Sequence, residues 1–160
     1  MLSIREIREE DNPAIAKVIR SVLLELGVPK VGTAYADPEL DCLTKAYEGQ
    51  RACYFVVEQE GRVIGGAGIS PLAGEEPSIC ELQKMYFLPQ ARGLGVGEKM
   101  IHQCLEFARA NNYELCYIET LPYMKAAQKL YRKVGFNYIQ GPMGNTGHTT
   151  CNVWLTKPLK

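Results

Sequence analysis

A chain of 160 residues, 46% hydrophobic and 22% charged, is long and apolar enough to bury a core without metals or disulfides, which excludes intrinsic disorder. Lys plus Arg and Asp plus Glu number 18 each, so the net charge is zero and no global field recruits nucleic acid or an anionic membrane. The length predicts one domain over residues 1–160.

The first residues lack the apolar run of a secretory signal, and no stretch of about 18 apolar residues occurs, which predicts a cytoplasmic chain with no membrane span. Leu2, Ile4 and Ile7 alternate with polar residues as a strand. Asp11 or Asn12 is placed to cap a helix with Pro13 in its first turn, and Ile15 to Leu26 recur at helical spacing until Gly27. Val28 to Ala36 reads as a loop. Asp37-Pro38 then opens a shorter helix to about Tyr47, with Leu40, Leu43 and Tyr47 on one side.

Ala52–Glu58 and Val63–Ile69, joined by Gln59-Glu60-Gly61, predict a β-hairpin. Ser78–Leu88 is a third strand in this region, ended by Pro89. Val96 to Ala108 carries an apolar helical stripe, Leu115–Thr120 is a strand, and Lys125–Val134 a helix stopped by Gly135. Phe136–Ile139 and about Cys151–Thr156 are the last two strands, separated by a glycine-rich loop holding His148. The order β-α-α-β-β-β-α-β-α-β-β predicts a mixed, mostly antiparallel sheet flanked by helices, an α/β (α+β) fold. Six scattered cysteines without a C-x-x-C pair or a Cys/His cluster predict mostly buried thiols and no metal site.

The chemistry concentrates at Arg92-Gly93-Leu94-Gly95-Val96-Gly97-Glu98, a strand-to-helix turn with three glycines in five residues. Glycines free the amides to turn inward, and a helix N-terminus adds a positive dipole end, so the segment predicts a phosphate cradle. It lacks the Gly-Lys-Ser/Thr of a nucleotide-triphosphate loop, and the sixth position from Gly93 is Glu98, so a dinucleotide fingerprint fails too. R-x-x-G-x-G fits Arg92, Gly95 and Gly97.

With these motifs the chain resembles the GNAT superfamily of N-acetyltransferases, whose Q/R-x-x-G-x-G/A signature matches Arg92–Gly97. A second family signature, A-x-x-L-Y-x-x-x-G-F, is similar to the segment from Ala127 through Leu130 and Tyr131 to Gly135 and Phe136. The element order from residue 2 to 156 is similar as well. The resemblance implies a splayed sheet that takes the pantetheine arm of acetyl-CoA between the fourth and fifth strands. It implies that the backbone of Met85, Tyr86 and Phe87 pairs with that arm, and that the amides of Gly93, Leu94, Gly95, Val96 and Gly97, with Arg92 and the helix start at Glu98, hold the pyrophosphate. Tyr131 falls on the family's general acid. Met124 and Glu98 depart from the pattern, standing where many members have Asn and a basic residue.

Direct transfer to an amine needs a proton acceptor, because an ordinary alkyl ammonium is almost wholly protonated at neutral pH. Glu81, on the same strand face by alternation as Gln83 and Met85, is the first candidate, and Glu119 in an apolar strand the second. The resemblance places the acceptor against the segment around Tyr35 and Asp37, although Asp37 also reads as a helix cap. His148 reads as a solvated loop residue or a substrate contact, and His102 as solvent-facing. The resemblance, with these residues, implies an acetyl-CoA dependent N-acetyltransferase acting on a small or amino-acid-like amine, expected as a monomer or homodimer without nucleic acid or membrane partners. The alternative is a coenzyme A-binding sensor of the same fold.

Overall fold

Nearly unbroken apolar sequence at 53–57 has to sit inside a sheet, covered on both faces, and in the computed structural model it does. The structure describes residues 1–31 and 34–160. Seven strands form one mixed sheet: β1 (Leu2–Glu6), β2 (Cys53–Gln59), β3 (Arg62–Pro71), β4 (Ile79–Phe87), β5 (Leu115–Thr120), β6 (Asn137–Ile139) and β7 (Val153–Pro158). Their spatial order is β1-β2-β3-β4-β5-β7-β6, and only β4 and β5 run parallel. Helices α1 (Asn12–Glu25) and α2 (Leu43–Ala46) cover one face, while α3 (Val96–Ala110) and α4 (Lys125–Val134) cover the other. Tyr54 and Val56 of β2 join Ile15, Ile19 and Leu23 of α1 in one core. Phe55 and Val57 join Met100, Ile101 and Leu105 of α3 in the second.

Two features of this sheet shape the site. First, β4 and β5 stay paired only at Ile79–Leu115, Cys80–Cys116 and Glu81–Tyr117. Beyond these pairs the strands part. β4 continues against β3 to Phe87 and β5 against β7 to Thr120, so each offers an open edge to the gap. Second, β4 carries a bulge: Gln83 pairs with Gly68 and Tyr86 with Gly66, so Lys84 and Met85 oppose Ala67 alone. Lys84 takes a φ of 50°, the left-handed region that ordinary side chains rarely adopt. The bulge overturns the expected alternation. Met85 packs into the α3-side core, on the face opposite the one where Glu81 meets Gln83.

Other expectations are corrected locally. The second helix is mostly a 3-10 turn, Pro38–Cys42, before the four residues of α2, although Leu40, Leu43 and Tyr47 are all buried as the spacing required. The Asp11 side chain makes no capping bond to α1, and the Asp37 side chain none to the Pro38–Cys42 turn. The last strand begins at Val153, two residues later than expected. The expected loop Val28–Ala36 contains Gly32 and Thr33, which lie outside the described residues, and ends in a short 3-10 turn, Ala34–Ala36. Cys53, Cys80, Cys104 and Cys116 are buried, Cys151 is half-buried and Cys42 is exposed, all as free thiols.

Asp11 is used instead as a buried anchor. Its carboxylate accepts from Arg5 Nη1 at 2.8 Å and Nη2 at 3.0 Å, and from the Arg8 amide at 2.8 Å. The Arg5 hydrogen bonds hold the Asp11 carboxyl below its usual range. A depressed acid stabilises the fold above its unfolded value, about 3.9, and that contribution is lost as pH falls through the folded value. Asp11→Asn therefore lowers stability by about 1–3 kcal/mol at pH 7 in urea unfolding. The difference from the parent shrinks below pH 4; a constant difference would show that the charge contributes nothing.

Candidate active site

The gap between β4 and β5 opens into a cleft of about 530 Å³, with the glycine turn at one end and Glu81, Glu119 and His148 at the other. Its two ends are built by different physics.

At the first end, a 3-10 turn over Pro89–Ala91 leads from β4 into the glycine turn. Gly93 and Gly95 adopt φ of 78° and 76°, where a side chain would be strained, and a Cβ at either would meet nothing within 4 Å. Lys99 is the residue whose amide first reaches an intrahelical acceptor, the Gly95 carbonyl at 3.2 Å. The amides of Val96, Gly97 and Glu98 precede it and have no partner within the helix. Open space at Gly93 and Gly95 and a helix N-terminus whose first amides lack intrahelical partners fit a pyrophosphate. Gly97 has a different reason to be glycine: a Cβ would stand 2.9 Å from Leu130 of α4.

Arg92 lines the cleft beside these residues but is already paired. Its guanidinium donates to both Glu25 oxygens at 2.7 and 2.9 Å and to the Phe87 carbonyl at 2.9 and 3.1 Å, tying the loop to the end of β4 and the last turn of α1. Glu98 pairs with Lys133 at 3.0 Å. Met124 lines the cleft, and its sulfur accepts from the Thr120 hydroxyl at 3.3 Å.

At the second end, Glu81 is 6% exposed. Tyr47 donates to Gln83 Oε1 at 2.5 Å, and Gln83 Nε2 donates to Glu81 Oε1 at 2.7 Å. Burial pushes the Glu81 carboxyl up to about 7, the hydrogen bond from Gln83 opposing it. Glu119 is also buried, but its oxygens accept from Tyr117 at 2.7 Å and Thr146 at 2.5 Å. Those hydroxyls supply the compensation that a carboxylate in an apolar strand requires.

His148 proves to be neither a solvated loop residue nor a core packer. Its Nε2 lies 2.9 and 3.0 Å from the two Asp37 oxygens, and its Nδ1 stands 3.9 Å from Glu119. The Asp37 hydrogen bond raises the imidazole above its ordinary value. Lys84, buried by the bulge, is 3.2 Å from Asp37 and 3.4 Å from Glu39. Tyr35 is placed apart from this cluster, stacked near Arg20 and Lys30 and packed against the α1-side core. His102 is exposed.

Between the two ends, Tyr131 of α4 lines the cleft with its ring packed on Phe136, and burial pushes its phenol up, so it holds its proton. Cys151 also lines the cleft, and burial pushes its thiol up to about 12, which leaves it protonated and a poor nucleophile. Among the described residues no group of His, Cys, Asp and Glu is arranged to hold a metal, and no helix is long and apolar enough to cross a membrane.

Sequence reasoning missed Lys84, Tyr117 and Thr146. A lysine in a strand and a hydroxyl in a loop carry no signal by themselves. The one available hint was Glu119 amid apolar residues, a burial that demands nearby donors.

Known proteins repeat this architecture. Residues 4–136 match the model of the acetyltransferase (GNAT) family. The chain is 46% identical to the uncharacterized N-acetyltransferase YjgM of Escherichia coli over 97% of its own length and 93% of that protein's. Among solved structures, an acetyltransferase of GNAT family from Staphylococcus aureus superposes with a TM-score of 0.89 at 19% identity, covering 100% of both chains. The structure of yncA from Salmonella typhimurium, which holds its cofactor acetyl-CoA, superposes at 0.80 with 18% identity, covering 99% of this chain and 94% of that one.

Proposed function

The chain belongs to the acetyltransferase (GNAT) family, and from that premise we propose that residues 1–160 form one domain that transfers the acetyl group of acetyl-CoA directly to a primary amine of a small or amino-acid-like acceptor. The observation that carries this reading is the single cleft that joins a phosphate cradle to a buried carboxylate titrating near neutrality, with a protonated phenol between them.

Acetyl-CoA supplies the reactive thioester. The amides from Gly93 to Glu98 hold its pyrophosphate, and the open edge of β4 at Met85, Tyr86 and Phe87 pairs with the pantetheine arm. Arg92, through Glu25 and Phe87, keeps the cradle in register with that edge. Glu81 takes the proton from the acceptor ammonium, because a carboxylate near 7 is both ionised enough and basic enough at physiological pH. Tyr131 holds the proton that the departing thiolate requires. A thiol held protonated at Cys151 argues for direct transfer over an acetyl-enzyme. Buried free thiols suit a reducing compartment, and we place the protein in the cytoplasm.

The cofactor half is tested at Gly95. Gly95→Asp strains a positive φ and aims a carboxylate into the cradle. It weakens acetyl-CoA binding by about 100-fold, roughly 3 kcal/mol, and removes the thermal stabilisation that coenzyme A gives the parent. Undiminished affinity in calorimetry would put the pyrophosphate elsewhere.

A further inference from the structure

We propose that the acceptor is a short amine with a second positive charge and no carboxylate, and that Glu119 receives that second charge. The proposal rests on the transferase reading above and narrows it. Six charged groups surround the acceptor end, and their pairing is unequal. Lys84 and His148, the two basic groups lining this end, already touch carboxylates: Lys84 lies against Asp37 and Glu39, and both oxygens of Asp37 hold His148 Nε2. An acceptor carboxylate would have to displace one of these.

Glu119 and Glu81 differ from Asp37 and Glu39. Their contacting donors are neutral, the hydroxyls of Tyr117 and Thr146 for Glu119 and the Gln83 amide for Glu81. His148 Nδ1, at 3.9 Å from Glu119, is beyond hydrogen-bond reach. Both carboxylates line the cleft. The end therefore holds four carboxylates against two basic groups, with His148 Nδ1 3.9 Å from Glu119 counted among them, and this excess of negative charge in a poorly solvated site selects cations.

The two acids are also spaced for two amines. Tyr117 is level with Glu81 in the parallel register, and Glu119 lies two residues further along β5, about 7 Å of strand rise. With Glu81 assigned to the reacting ammonium, Glu119 is left for a second one a few bonds away.

Three acceptors of equal length separate the possibilities: 1,4-diaminobutane, 4-amino-1-butanol and 4-aminobutyrate, which end in a cation, a neutral hydroxyl and an anion. Thiol release with acetyl-CoA should give kcat/KM highest for the diamine, about 10-fold lower for the amino alcohol and lower again for the amino acid, a tenfold step being one modest ion pair. Glu119→Gln, whose one carbonyl oxygen still accepts from one of the two hydroxyls, should bring the ratio of diamine to amino alcohol close to one, whatever its overall rate. Glu119→Asp should retain the parent's ranking. Calorimetry of the diamine without acetyl-CoA should show binding to the parent and at least tenfold weaker binding to Glu119→Gln.

Equal or better use of the amino alcohol or the amino acid by the parent overturns the proposal and leaves the transferase reading intact. So does a ratio that Glu119→Gln leaves unchanged. Diamine binding that depends on Glu119, with no thiol released from any acceptor, would sustain the charge assignment and overturn the transferase reading. Absence of diamine binding to the parent in calorimetry, together with absence of turnover, overturns both.

Discussion

Tyr131→Phe should lower kcat by about 10²-fold or more while leaving the fold and coenzyme affinity nearly unchanged, the scale expected when a general acid is removed. The substitution deletes one oxygen and keeps the ring that packs on Phe136, so the α4 contact with the core survives. Burial pushes the phenol up, so it carries its proton through the whole neutral range. Stopped-turnover assays with a good acceptor, alongside calorimetry with acetyl-CoA, separate the two quantities. A kcat equal to the parent's would reduce Tyr131 to a packing residue.

Glu81→Gln should show two effects of opposite sign. Activity at pH 7 falls by about 10²-fold, and the parent's rise in kcat/KM through pH 7 disappears, leaving only the slope set by the acceptor's own ionisation. Stability moves the other way. Burial raises the folded-state value of Glu81 from 4.5 to about 7. A raised acid stabilises the fold relative to its ionised form below the unfolded value, and that contribution is lost as pH climbs through the folded value. By pH 8 the ionised group costs the folded parent about 3 kcal/mol, and glutamine escapes that cost while still accepting the Gln83 hydrogen bond. Urea unfolding at pH 5 and pH 8 reads the difference: the variant gains on the parent only at the higher pH. A variant that is slower at every pH by the same factor and no more stable at pH 8 would remove Glu81 from the role of base.

The backbone half of the site was legible because its requirements are local. Gly93, Gly95 and Gly97 declare themselves in five consecutive residues, and Val96 to Ala108 announce the helix whose N-terminus they form. Element order was legible for the same reason, since each strand and helix carries its own period. The polar half was only partly legible. Glu81 and Glu119 stand out as acids in apolar strands, but Asp37, Lys84, Thr146 and His148 come from segments far apart in the chain. Their meeting depends on how the loops fold over the gap. The bulge left no mark either. Alternation carried through Gln83 assigns Met85 to the wrong face, and nothing in Gln83-Lys84-Met85 betrays the extra residue, because a lysine is an unusual occupant of a left-handed position.

That lysine performs two tasks through two different parts of one residue. Its backbone turns the strand, so that Glu81 and Gln83 face the acceptor while Met85 and Phe87 return to the core. Its ammonium occupies the space between Asp37 and Glu39. Glycine would suit the backbone better and leave the two acids facing each other; a long uncharged side chain would keep the strain and lose the cation. The position is therefore boxed in from both sides. A redesign of acceptor preference should accordingly begin from the loop carrying Thr146 and His148, where a change of side chain does not also re-aim a strand.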